Sequence, residues 1–228
     1  VLREQLPYWC HPASVSRKGL HTQGIYHPLI KGCVANDLSL SAKSALITGS
    51  NMSGKTSFIR TIAINLITAK ALNTCFAHQY EMDLSFQLYS VIHTEDDLLE
   101  GKSYFFKEAE NVKNALLQGE SGNCLLIFDE LFKGTNTTER IAINAATFSK
   151  LADAGNIVLA STHDLELAEI LKDKYDLYHF CETVADNKLS FDYTLKPGVV
   201  KEGNAIRILE LCGYPEDVVD AARTIVNK

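Results

Sequence analysis

The sequence lacks what a membrane protein, a metal finger or a nucleic-acid clamp needs. Its longest apolar stretches, residues 125–128 and 157–160, are far below the roughly 20 residues that span a bilayer, so no membrane segment is expected. Six cysteines, at 10, 33, 75, 124, 181 and 212, stand far apart, with no C-x-x-C pair and no histidines at zinc-ligand spacing. They read as reduced thiols of an intracellular protein. Basic residues are outnumbered, 22 Lys and Arg against 28 Asp and Glu, for a formal net charge of -6. Nonspecific DNA affinity comes from counterions displaced by Lys and Arg, so this chain is not expected to be a main phosphate-backbone grip. If DNA is a partner, another region holds it. The chain opens on Val1, and its first residues lack the charged-then-apolar order of a secretory signal. It reads as a fragment of something longer.

What the sequence does hold is apolar content, 46% over 228 residues, enough for one substantial core with an appendage. Residues 1–31 are irregular and carry three of the five prolines. Residues 34–40 and 45–48 read as strands joined by a short polar turn, the second running into a glycine-rich loop, and antiparallel strands are expected on the N-terminal side of the domain. A helix is predicted over 56–71, with Phe58, Ile59, Ile62, Ala63, Leu66 and Ile67 on its core face. Further helices are predicted over 103–117, 139–151 (Ile141, Ala145 and Phe148 inward) and 164–171. Residues 124–128 and 157–161 are buried strands. Strands apolar on both faces, alternating with helices, indicate an α/β domain with a mainly parallel sheet covered on two sides. Residues 178–195 break at Asp186-Asn187 and read as a hairpin at the sheet edge. Helices over 205–211 and 216–226, separated by Gly213-Tyr214-Pro215, form a small helical appendage. The organisation expected is a lead-in segment over 1–32, a core over 33–200 and the appendage over 201–228. No internal repeat or low-complexity tract is present.

Gly49-Ser50-Asn51-Met52-Ser53-Gly54-Lys55-Thr56 matches G-x-x-x-x-G-K-[ST] between a predicted strand and a predicted helix, the context this phosphate loop (P-loop) motif requires. Its glycines let the backbone curl so that successive N–H groups face phosphate oxygens, and the following helix adds its positive end. Lys55 would reach the β- and γ-phosphates, and Thr56 would ligate magnesium. Ser57 follows in the first turn. The apolar run 125–128 ends in Asp129-Glu130. Asp129 is placed for the magnesium shell, and Glu130 for general-base activation of water. Alone, such a run is as often a strand reaching the surface; beside the phosphate loop it gains meaning. Thr162-His163, at the end of another buried strand, puts an imidazole near the same crevice, where it could sense the γ-phosphate or polarise water.

Together these blocks resemble the ATPase domain of MutS-type mismatch-repair proteins, within the ABC-type P-loop ATPases. The likeness runs from about His27 to the C-terminus. Tyr26-His27-Pro28-Leu29 is similar to the family's His-Pro block, and residues 48–56 are similar to its T-G-P-N-M-G-G-K-S loop. Asp96-Asp97-Leu98 with Gly101-Lys102-Ser103-Tyr104-Phe105 and Glu108 resembles its D-D-L-x-x-G-x-S-T-F-x-x-E segment. Asp129-Glu130 with Gly134-Thr135 and Thr137 resembles D-E-x-x-x-G-T-x-T, and Ser161-Thr162-His163 its A-T-H switch. The resemblance implies Mg-dependent hydrolysis of ATP to ADP and phosphate in composite sites of a homodimer or heterodimer. Ser103 of one subunit would face the γ-phosphate held by the other, and Asn51 would order that segment or the water. It implies adenine held between side chains at Cys33 and Tyr193, Cys33 standing where the family has an aromatic. It implies a helix-turn-helix tail used for dimerisation, mismatched or otherwise irregular DNA bound by domains outside this fragment, a possible downstream repair protein, and a cytoplasmic, nucleoid-associated location if bacterial. Ser50 and Ser53 replace proline and glycine in the loop, and Phe132-Lys133 replaces Gly-Arg.

Other readings share parts of this pattern. A small-molecule kinase would need an Arg-rich lid, and none is evident. A transporter ATPase would carry L-S-G-G-Q where Gly101-Lys102-Ser103-Tyr104 stands. A relative acting on recombination intermediates, or a nucleotide-gated assembly module with little turnover, remains compatible with the sequence.

Overall fold

Strands apolar on both faces build the centre of the molecule, as the sequence pattern requires. The computed structural model describes residues 6–15, 19–41, 44–92, 104–185, 188–200 and 205–226. In chain order the strands are β1 (Ala13–Ser14), β2 (Leu20–Ile25), β3 (Asn36–Leu40), β4 (Ser44–Thr48), β5 (Gln79–Met82), β6 (Gln87–Val91), β7 (Cys124–Asp129), β8 (Ile157–Thr162), β9 (Tyr175–His179), β10 (Glu182–Ala185), β11 (Lys188–Phe191) and β12 (Lys196–Pro197). The helices are α1 (Lys55–Leu72), α2 (Tyr104–Gln118), α3 (Thr137–Asp153), α4 (Leu165–Leu171), α5 (Ala205–Leu211) and α6 (Glu216–Val226).

Among the described residues the main sheet has the order β12-β9-β4-β8-β7-β6, all parallel except β12, which pairs antiparallel with β9. Alternation along its strands divides the core in two. Ala45, Ile47, Leu125, Ile127, Ile157 and Leu159 face α1 and a second sheet. Leu46, Leu126, Phe128, Val158 and Ala160 face α2, α3 and α4. This is a mixed α/β fold with a mostly parallel sheet covered by helices.

Helix α1 follows directly from Gly54 and buries Phe58, Ile59, Ile62, Ala63 and Leu66. Ile67, expected on the same face, is 52% exposed, because it falls beyond the edge of that stripe. The helix ends at Asn73, whose left-handed backbone (φ 50°) lets its N–H reach Ala69 O. Asn65, fully buried on α1, accepts from Phe76 N–H at 2.6 Å and donates to Thr61 O at 2.9 Å. It fastens the helix to the chain that leaves it.

Three sequence expectations change. The N-terminal 31 residues are not irregular throughout: β2 pairs antiparallel with β3 and β5, and β1 adds to β5. Their alternating signal is broken at Gly24 (φ 63°) and by a register shift between Thr22 and Ile25. Residues 34–40 and 45–48 do not pair with each other, because β3 joins β2 while β4 enters the parallel sheet. The late hairpin is not at the sheet edge: β10 and β11 form their own two-stranded ribbon, whereas Tyr178 belongs to β9 inside the main sheet. Asp186-Asn187 lie outside the described residues.

Helices α5 and α6 fall within their expected bounds and pack on each other. Val219 alone among their described residues is buried. Among the described residues no helix is long and apolar enough to cross a membrane.

Candidate nucleotide site

Register brings three strand ends level. Thr48 of β4 pairs with Thr162 of β8, and Asp129 of β7 pairs with Ser161 of β8. The loop 49–54, the two acids and His163 therefore leave the same edge of the sheet, where parallel α/β sheets bind ligands.

Gly49 starts the loop at φ 142° beneath Phe180, whose N–H donates to Thr48 O at 3.0 Å. A Cβ on Gly49 would lie 2.5 Å from Phe180 O, so this position admits only glycine. Met52 (φ 66°) and Gly54 (φ 114°) complete the curl, with Met52 83% exposed. The two serines that depart from the family pattern are used inward. Ser53 is buried and donates to Ser50 O at 2.8 Å, and Ser50 Oγ donates to Glu182 Oε2 at 2.5 Å, tying the loop to β10.

Lys55 is almost fully buried. Its ammonium donates to Gly49 O and Ser50 O at 2.8 Å each and lies 3.0 Å from Glu130 Oε1. Burial lowers its pKa, and the nearby Glu130 carboxylate works against that shift. Thr56 Oγ1 donates to Asp129 Oδ2 at 2.8 Å, and Ser161 Oγ donates to Asp129 Oδ1 at 2.5 Å.

Glu130 has a left-handed backbone (φ 50°) that turns its side chain back toward the loop, and its N–H donates to Ser161 O at 3.1 Å. Its carboxylate meets Lys55, Lys133 and His163, the last with Nε2 2.6 Å from Oε1. Burial alone would raise its pKa, but hydrogen bonds from His163 and Lys133 and the charge of Lys55 hold it well below the usual carboxylate range. A depressed folded-state pKa means that the ionised group contributes stability that is fully present above the ordinary glutamate value near ~4.3 and is lost as pH falls below it. Urea unfolding of wild type and Glu130→Gln, from about pH 7 down to about pH 3, should show their stability gap narrowing at acid pH. A pH-independent gap would contradict this electrostatic account.

His163 Nε2 is also 2.9 Å from Asn51 Oδ1. Both neighbours accept, so His163 donates from Nε2 and bridges the loop to the acid. Its flanks are fixed: Arg140 forks onto Asp164 with Nε to Oδ2 at 2.8 Å and a terminal nitrogen to Oδ1 at 2.6 Å. Glu108, buried in α2, accepts from Phe132 N–H at 2.9 Å and holds the turn that follows the acids.

A cavity of about 710 Å³ opens over these groups. Asn51, Met52, Gly54, Lys55, Thr56 and Ser57 line it from the loop and α1, Asp129 from the end of β7 and Glu130 from the residue after it. Cys33, Val34, Phe180 and Tyr193 also line it, the rings of Phe180 and Tyr193 lying beside Gly54. Tyr193 (φ 52°) stacks on Phe191 with ring centroids 5.8 Å apart. Gly49, Ser50, Ser53 and His163 do not line the cavity; they shape it from behind. Ser103 and residues 96–98 lie outside the described residues. Arg60 and Lys31, which no motif marks, add positive charge to the lining together with Lys133, visible in the sequence only as a departure from the family pattern. Arg60 lies on the exposed face of α1, off its apolar stripe, where a lone cation gives no signal in the sequence. Among the described residues no group of three or more His, Cys, Asp or Glu could hold a metal by itself.

Residues 45–228, from β4 to the end of the chain, match the family described as MutS domain V. The chain belongs to the MutS family. It is 32% identical over 221 residues to DNA mismatch repair protein MutS 2 of Halobacterium salinarum, covering 92% of this chain and 25% of that protein. It is 29% identical over 228 residues to DNA mismatch repair protein MutS of Natronomonas pharaonis, covering 96% and 26%. It is 29% identical over 204 residues to a Thermus thermophilus protein of that name, covering 88% and 25%. The chain thus spans about a quarter of the length of these MutS relatives. The family match includes the loop, both acids, His163 and the helical appendage, but starts after β3.

Proposed function

We propose that this chain is the ATPase domain of a MutS-type mismatch-repair protein, binding ATP with Mg2+ and hydrolysing it to ADP and phosphate. The observation that carries the reading is the meeting of Lys55, the Thr56–Asp129 pair and Glu130 at one edge of the parallel sheet, on one cavity. Backbone N–H groups of residues 49–54 and the Lys55 ammonium would take the phosphates. Thr56 Oγ1 and Asp129 Oδ2 are hard oxygen donors already within 2.8 Å of each other, which suits Mg2+ completed by phosphate oxygens and water. When bound, the ion would neutralise charge on the phosphate oxygens.

Glu130 would act as general base. Its Oε1 is held by His163 and Lys55, so Oε2, facing the more exposed Lys133, is the oxygen to which a water proton would pass. His163 would orient that carboxylate and couple it to Asn51. Cys33 and Tyr193 would border adenine. Residues 1–32 would form the lead-in, 33–200 the P-loop ATPase core and 201–228 a helix-turn-helix dimerisation appendage. Ser103 would complete the site of a partner subunit in a homodimer or heterodimer. The output would be a nucleotide-dependent dimer switch acting on mismatched DNA bound outside this chain.

A second reading, a nucleotide-gated module with little turnover, is favoured by the depressed Glu130 carboxyl, because a strongly stabilised carboxylate is a weak base. Calorimetry with ATP and magnesium tests the common core of both readings. Lys55→Ala is expected to weaken affinity by about 10–100-fold, the range for losing a charge-assisted hydrogen bond. No affinity of the folded wild-type chain for adenine nucleotides would overturn the proposal.

A further inference from the structure

Cys10 and Cys75, remote in sequence, stand directly opposite each other in an isolated antiparallel bridge. Each donates its backbone N–H to the other's carbonyl at 2.9 Å. Such a doubly bonded antiparallel pair holds its Cα atoms about 5.5 Å apart, inside the ~4.4–6.8 Å range of disulfides. Directly paired residues also project to the same face. Here Cys75 is fully buried in the core cluster beneath the antiparallel sheet, and Cys10, partly exposed, packs against that cluster. A second contact joins the same two segments, His11 Nδ1 lying 2.8 Å from Asn73 O.

We propose that Cys10 and Cys75 are a dithiol oxidation site that a small-molecule disulfide converts to an intramolecular disulfide. The reaction balances in two exchanges. The Cys10 thiolate attacks one sulfur of oxidised glutathione and expels one glutathione thiolate, leaving a mixed disulfide. The Cys75 thiolate then attacks the Cys10 sulfur and expels the second glutathione. Two protein thiols are oxidised, one glutathione disulfide is reduced, and both protein protons pass to solvent or to the departing thiolates. Cys10 is the first nucleophile because it is the accessible member. Burial raises the pKa of both thiols, so the thiolates are scarce and the exchange is slow at neutral pH.

The bond would tie the N-terminal segment to the end of α1 and close a loop containing the phosphate loop and the whole helix. It needs no nucleotide and stands independently of the proposed ATPase. The test incubates the native chain with excess oxidised glutathione, quenches with acid, alkylates in denaturant and maps peptides without reduction. The expected result is a linked Cys10–Cys75 peptide and a melting temperature raised by about 5–15 °C, as for a loop of several tens of residues in a domain this size. Both signatures should be reversed by dithiothreitol and absent from Cys10→Ser. Cys75→Ala, which keeps the buried position apolar, should behave as Cys10→Ser does. Recovery of both residues as alkylated thiols, of Cys10 only as a glutathione adduct beside a free Cys75, or of the link only in unfolded protein would each overturn the proposal.

Discussion

Replacing Glu130 with glutamine is expected to lower ATP turnover by about 10²–10⁴-fold while leaving nucleotide affinity near that of wild type. The amide keeps the volume and can still accept from His163 and Lys55, so the loop, Thr56 and Asp129 are undisturbed. What it loses is an oxygen that can take a proton. Phosphate release in a single turnover, measured beside calorimetric affinity, separates the two effects. If Glu130→Gln hydrolyses as fast as wild type, the water is activated elsewhere, His163 being the nearest other base, and the role assigned to Glu130 fails. If wild type assayed as the assembled dimer scarcely hydrolyses ATP while binding it well, the nucleotide-gated module is the better reading. The trio of donors around Glu130 gives that outcome a physical basis, because each contact that lowers its pKa also lowers its basicity.

Gly49→Ala is expected to destabilise the fold by on the order of 2–4 kcal/mol and to abolish measurable nucleotide binding. The new methyl group would fall 2.5 Å from a backbone oxygen, Phe180 O, and not against a flexible side chain that could swing away. The φ of 142° adds strain that any L residue would feel. Relief requires moving either the start of the loop or residue 180, and residue 180 is tied to β4 through Thr48 O. Urea unfolding and calorimetry check the two parts. An unchanged unfolding midpoint would mean that the loop and the 180 segment have room to part, contrary to the close approach of the two backbones.

The parallel sheet was legible because its strands are buried on both faces, so Leu125–Phe128 and Ile157–Ala160 read as unbroken apolar runs. The helices were legible from apolar stripes, and α5 and α6 from Gly213 and Pro215 between them. Of the antiparallel sheet only β3 was legible. β5 contributes only Tyr80 and Met82 as buried positions, and β6, missed likewise, lies at the edge of the parallel sheet with no fully buried residue. Such strands are fixed by distant partners, and their own patterns are too short to show it. The site divides in the same way. Loop and acids are contiguous motifs, readable one at a time. Lys133 reaches Glu130 because Glu130 and Phe132 both adopt left-handed backbone, a geometry that three ordinary residues in a row do not announce. Ser161 on Asp129 and Glu182 on Ser50 are likewise products of register and of the separate ribbon. The facing of Cys10 and Cys75 is the clearest case, since nothing at either position in the sequence points to the other.

The fork between Arg140 and Asp164 has a mechanical consequence. Arg140 lies in the first turn of α3, just past the 130–136 segment that follows the acids, and Asp164 is the neighbour of His163. Two parallel charged bonds of this kind resist both rotation and sliding. The fork therefore pins the start of α3 to the residue beside His163, so the backbone that carries the imidazole is braced from the helix that follows the acids.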